Sequence, residues 1–151
     1  MPDLSFVVFL GLVMVAASTG MLFKPGEWYR RLKKPSWTPP DLAFPIVWTV
    51  LYLMIAVAGW LVWREGSVAA LIFWGLQLIL NALWSYLFFG QRRMDLALAD
   101  VSLLWLSVAG FIVIAWPLST TAALLFVPYL IWVSIAANLN RAVRKMNPEF
   151  A

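Results

Sequence analysis

The chain has 151 residues, 64% of them hydrophobic and 12% charged. Soluble domains carry roughly 45–50% apolar and about 25% charged residues, so this chain lacks the charge to clothe a water-facing surface. It has no cysteine and no histidine, which excludes disulfides, thiolate chemistry and imidazole bases or ligands. The formal charge of +4 raises nucleic-acid binding, but the basic residues sit at the ends of apolar runs, where bilayer topology puts them.

Charged residues divide the chain into spans. Asp3 and Lys24 bracket 20 uncharged residues, Asp41 and Arg64 bracket 22, and Glu65 and Arg92 bracket 26. Each suits one helix across a hydrocarbon core of ~30 Å, which needs about 20 residues. The first run is expected to stay in the protein, because it is long enough to span and has no basic segment before it. Asp100 and Arg141 bracket 40 uncharged residues, roughly 60 Å of helix at ~1.5 Å per residue, twice the core. That run must turn back, and Trp116-Pro117-Leu118-Ser119-Thr120-Thr121 is the place: Pro117 stops one helix and Ser119 or Thr120 caps the next. The expectation is a single all-α membrane domain over residues 1–151, a bundle of five transmembrane helices at about 4–23, 42–63, 68–90, 95–116 and 120–141. Neither a repeat nor a linker divides it.

Ten of the eleven Lys and Arg residues fall on one side of this topology: in the first and third loops and the C-terminal tail, with Arg64 alone opposite. By the positive-inside rule, loops 1 and 3 and the C-terminus face the cytoplasm if the home is a plasma membrane. The first loop, about 18 residues from Lys24 to Asp41, is longer than a connection needs, and long loops in compact domains are functional or disordered. Trp28, Tyr29 and Trp37 need an apolar surface. Pro25, Pro35 and the i,i+4 pair Glu27/Arg31 predict a short helix, and Pro39-Pro40 an extended entry to the second span. The expected picture is a structured lid over the mouth of the bundle; the competing reading is interfacial anchoring of aromatic and basic residues.

Within the spans, Trp48 and Tyr52 share a face at i,i+4. Gln77, Asn81 and Ser85 form a polar stripe in mid-span with Trp84 beside it, and Tyr129, Trp132 and Ala136 lie at i, i+3, i+7. Aromatic walls with a few polar groups suit a flat, mostly apolar ligand. The alternatives are that mid-span polar residues bond neighbouring helices and that aromatics fill the bundle. Pro128 should kink the fifth span. Asp100, an acid in an apolar run, is a functional suspect, but it lies about five residues into its helix, and snorkelling or pairing with nearby arginines is the expected role.

An ordered set of segments carries a family resemblance: Lys24-Pro25 through Trp28-Tyr29, Lys34-Pro35-Ser36-Trp37-Thr38-Pro39-Pro40, Phe44-Pro45-Ile46-Val47-Trp48-Thr49-Val50-Leu51-Tyr52, Asn81-Ala82-Leu83-Trp84, Phe88-Phe89-Gly90, Val127-Pro128-Tyr129-Leu130-Ile131-Trp132 and Leu139-Asn140. With ten tryptophans, the chain resembles the TspO/MBR family of tryptophan-rich sensory proteins and mitochondrial translocator (peripheral benzodiazepine receptor) proteins. The resemblance implies a five-helix bundle closed by the first loop, often a homodimer, that binds porphyrins such as protoporphyrin IX and benzodiazepine-type drugs. It places ligand contacts at Trp48, Tyr52, Asn81, Trp84, Trp132 and Ala136; Trp28, Tyr29 and Trp37 of the loop and Tyr129 complete the candidate set. The family's sterol motif needs Tyr after Leu-Asn, where this chain has Arg141.

No metal site and no tightly bound cofactor is expected, and lacking His and Cys the chain has no strong axial ligand for haem iron. A free-base porphyrin is the expected ligand, bound for sensing, regulation or transport, with the bilayer as the other partner. The alternatives are light- and oxygen-dependent porphyrin degradation, with Trp48 and Trp132 as redox-active side chains, and lipid or sterol translocation. A bacterial cell membrane is the expected home, with an outer membrane or mitochondrial outer membrane as alternatives.

Overall fold

The computed structural model describes residues 4–23 and 25–150. Lys24, counted above among the loop's basic residues and in its first motif, lies outside them. Five helices are long and apolar enough to cross a membrane. The first span is α1 (Leu4–Leu22), and a short α2 (Glu27–Arg31) follows in the first loop. The second is α3 (Ala43–Arg64), and the third is α4 (Val68–Ser85), extended by a wider π turn over Tyr86–Gly90. The fourth is α5 (Met94–Ala115), and the fifth is broken into α6 (Thr120–Leu125) and α7 (Val127–Met146). The expected boundaries hold to within a residue or so, except that the fifth span runs on to Met146.

Local chemistry explains the breaks. Gly66 sits at φ +70, a conformation glycine adopts without strain, and Ser67 caps α4 by accepting from the Ala70 amide at 3.1 Å. Pro117 follows α5, and Ser119, not Thr120, caps α6 by accepting from the Ala122 amide at 3.2 Å. Pro128 has no amide to continue the ladder from α6. The chain turns at Phe126, whose amide bonds the Ala123 carbonyl at 3.1 Å, and α7 starts afresh with proline in its first turn.

The helices pack through close backbone approaches and aromatic plugs. α4 lies against α5 and α1; α3 lies against α1 and α6; α5 lies against α7. Where α3 meets α4, a methyl group on Gly59 would stand 2.5 Å from the Trp74 indole, and that indole donates to the Ile55 carbonyl at 2.8 Å. Outward faces carry Val7, Val8, Met14, Val15, Ile72, Ile79 and Val113, all exposed, as a lipid-facing surface requires. α3 packs closely on α6 but parts from α7 after the break.

Candidate functional site

Three helices bring their marked faces together in mid-bundle. On α3, Trp48 stacks on Tyr52 with ring centroids 5.5 Å apart. Trp48 also meets Tyr129 edge-on at 6.2 Å and Trp132 at 6.3 Å, both from α7. Phe44, one turn before Trp48, packs on Trp132 at 5.7 Å. Ala136, one turn beyond Trp132, is buried.

A hydrogen-bonded chain runs through this aromatic cluster. Tyr52 Oη donates to Asn81 Oδ1 at 2.9 Å, and Asn81 Nδ2 donates to Tyr129 Oη at 2.8 Å. Tyr129 Oη donates to Gln77 Oε1 at 2.7 Å, and Gln77 Nε2 donates to the Trp74 carbonyl at 2.7 Å. Three spans are tied by side chains that satisfy one another, as buried polar groups must. A second tie lies nearer the loop: Trp84 Nε1 donates to Asn140 Oδ1 at 3.1 Å, and Asn140 Nδ2 donates to the Met94 carbonyl at 3.0 Å.

The first loop is seated on this assembly. Tyr29 of α2 is 1% exposed, with its ring among Phe44, Phe88 and Phe89 at 6.2, 6.0 and 5.4 Å. Trp28 meets Phe88 at 6.1 Å. Burial, aided by the nearby Asp41 carboxylate, pushes the Tyr29 hydroxyl up to about 12, so it stays neutral at physiological pH. Lys34 Nζ lies 4.6 Å from the Tyr29 ring centroid and bonds that residue's carbonyl at 2.7 Å. The predicted Glu27/Arg31 pair is present but exposed, at 3.9 Å. The loop is tied to the far end of the chain: the Lys33 amide donates to Asn147 Oδ1 at 3.0 Å, and Asn147 Nδ2 donates to the Lys33 carbonyl at 2.8 Å.

Trp37 stands apart. It is half exposed and lines a groove of about 490 Å³ on the outer flank of α7 with Ile131, Ser134, Ile135 and Asn138. A second groove, of about 290 Å³ and almost wholly apolar, lies where α3 and α7 part, lined by Val47, Val50 and Met54 on one side and Pro128, Ile131 and Trp132 on the other. Trp132 thus belongs both to the inner cluster and to a groove on the flank, and its Nε1, buried, has no hydrogen-bond partner.

Asp100 does not snorkel and does not pair with arginine, contrary to expectation. It is 4% exposed, with both carboxyl oxygens buried and unpartnered. Its face of α5, with Ala97, Val101 and Leu104, turns into the bundle. Distance from the helix end does not show this; the three- and four-residue spacing of Asp100 to Ala97 and Leu104 is the signal that does. Phe44, Phe88 and Phe89 complete the aromatic cluster; in the sequence they stand out only within the family segments. Among the described residues no group of three acidic side chains could hold a metal ion.

Five membrane-crossing helices around an aromatic, internally hydrogen-bonded centre define a multi-pass membrane protein with a tryptophan-rich interior. The sequence matches the TspO/MBR family over residues 6–146, and the chain belongs to that family. It is 46% identical over 143 residues to a tryptophan-rich sensory protein of Cereibacter sphaeroides, covering 94% of this chain and 90% of the relative. It is 40% identical over 148 residues to protein CrtK of Rhodobacter capsulatus, covering 95% and 92%. It is 36% identical over 154 residues to the translocator protein of Sus scrofa, covering 97% and 90%.

Proposed function

We propose that this protein binds porphyrins and related flat, mostly apolar ligands inside the bundle, and acts in tetrapyrrole sensing or transport. The observation that carries the reading is the meeting of Trp48, Tyr52, Tyr129 and Trp132 around Asn81, with Tyr29 of the first loop seated over the adjoining rings. Such a centre offers ring faces for stacking and few polar atoms, the chemistry that suits a planar ligand. The rings rest on one another, so binding requires them to part, with the first loop acting as the lid. The basic residues of that loop supply charge-assisted hydrogen bonds for propionates at the mouth. A homodimer in a bacterial cell membrane, with loops 1 and 3 on the cytoplasmic side, is the setting this reading expects.

The test is titration of protoporphyrin IX into detergent-purified protein, followed by tryptophan fluorescence, beside a Trp48→Phe/Trp132→Phe double variant. Saturable quenching is expected, weakened about tenfold in the double variant. Non-saturable quenching, identical in both proteins, would mean partition into the micelle and would sink the proposal. One observation favours a second reading, lipid translocation: the groove between α3 and α7 is apolar along its length and opens on the lipid-facing flank.

A further inference from the structure

The outer flank of α7 carries a groove that the candidate site does not use. Ile131, Ser134, Ile135 and Asn138 form its floor, and Trp37 of the first loop, half exposed, forms a wall. It adjoins the apolar groove between α3 and α7 through Ile131 and Ile135, but it alone includes polar side chains. The floor residues recur at three- and four-residue steps, so they lie along one stripe of the helix. That stripe continues past Asn138 to Arg141 and Lys145, about 4.5 and 10.5 Å further along the axis at ~1.5 Å per residue.

Both cations are exposed, and they stand where the bilayer's hydrocarbon gives way to headgroups. The uncharged run that began after Asp100 ends at Asn140, so Arg141 is the first charge of the fifth span. The ion pairs among the described residues lie elsewhere: none includes Arg141, Lys145 or Glu149. Two hydrogen bonds between Lys33 and Asn147 bring a further exposed cation to the same end of α7. Midway along the stripe, Ser134 Oγ is already engaged by the Trp105 indole at 2.8 Å. Asn138 Nδ2 donates one hydrogen to the Ser134 carbonyl at 2.8 Å and has a second to give.

We propose that this flank of α7 binds one anionic phospholipid, with an acyl chain along Ile131 and Ile135 beside Trp37, an ester carbonyl at Asn138, and the phosphate held by Arg141 and Lys145. Apolar, polar and cationic surfaces follow one another along the stripe in the order chain, ester and phosphate follow one another in the lipid. A neutral lipid would leave both cations without a counter-charge, and a soluble anion would leave the groove empty. The Arg141 guanidinium suits a phosphate by its paired donors, and Lys145 adds a second positive charge. Basic clusters at the end of a span recognise anionic headgroups in the same way. The inference is independent of the porphyrin reading.

The experiment is native mass spectrometry of the detergent-purified protein with equal amounts of palmitoyl-oleoyl phosphatidylglycerol and phosphatidylcholine, which share their chains and differ in net charge. The wild-type protein is expected to retain the anionic lipid at least fivefold over the zwitterionic one. The ratio should fall to about one in Arg141→Gln/Lys145→Gln. Arg92→Gln/Arg93→Gln removes the same charge from the third loop and should leave the ratio unchanged. Asn138→Trp fills the groove and should lower retention of phosphatidylglycerol at least threefold. No preference in the wild type, or a preference lost equally in both double variants, would overturn the site, the second outcome showing attraction to the charged end as a whole. Retention untouched by Asn138→Trp would overturn the groove as the seat of the chain.

Discussion

Tyr29 and Tyr129 are both buried tyrosines, and they differ in one respect. Tyr129 gives and receives hydrogen bonds inside the bundle, whereas the Tyr29 hydroxyl is buried without a partner. Tyr29 therefore contributes through its ring. Its hydroxyl ionises at about 12 in the folded protein, against about 10 in an unfolded chain. The stability it brings is whole below pH ~10 and is lost as pH rises toward 12, because the unfolded chain ionises first. Tyr29→Phe should leave thermal stability at neutral pH unchanged or slightly raised, and should flatten part of the decline between pH 10 and 12. A large loss of melting temperature at pH 7 would show that the hydroxyl has a partner after all. The sequence made Tyr29 a candidate through the loop's length and prolines, but could not show that its ring reaches the end of α4. Trp37, chosen by the same argument, faces the flank, because the turn at Pro35–Thr38 carries it away from α2. Asp100 was misjudged for a related reason: depth along a helix is readable from a count, but the direction a side chain faces depends on which neighbours the helix finds.

Among the elements, the broken fifth span shapes the groove. Count and composition located the five spans, and the proline announced a break. That α7 would part from α3 below it is a tertiary outcome that no count of residues gives. Pro128→Ala returns an amide that can bond the Leu124 carbonyl and so carry the ladder across the break between α6 and α7. The expected result is a straighter fifth span and a narrower groove. Spin labels at Val50 and Ile135, one on each wall, should move closer together in the variant. An unchanged distance would mean that packing against α5, not the proline, sets the angle.

Across the whole molecule, the first loop and the C-terminal end are one unit. Residues 33 and 147 are linked by two hydrogen bonds, and Arg30 and Asp41 join the loop's two limbs at 3.2 Å. Asn147→Ala removes both links while leaving the spans intact. It should raise amide hydrogen exchange across residues 25–41 severalfold, with little change in α4 and α5. Exchange that rises everywhere would mark global destabilisation, and no rise at all would show that ring packing alone holds the loop. Sequence could not suggest this link, since Asn147 falls outside every motif and its partner lies 114 residues away.

Trp132 is shared between the inner cluster and the groove where α3 and α7 part. A greasy molecule already dissolved in the bilayer can meet this side chain without passing the loop. For a ligand arriving that way, the controlling quantity is moles of ligand per mole of lipid. An apparent dissociation constant expressed per litre of buffer should then climb in proportion to the vesicles added. Expressed as a mole fraction of the membrane, it should stay constant.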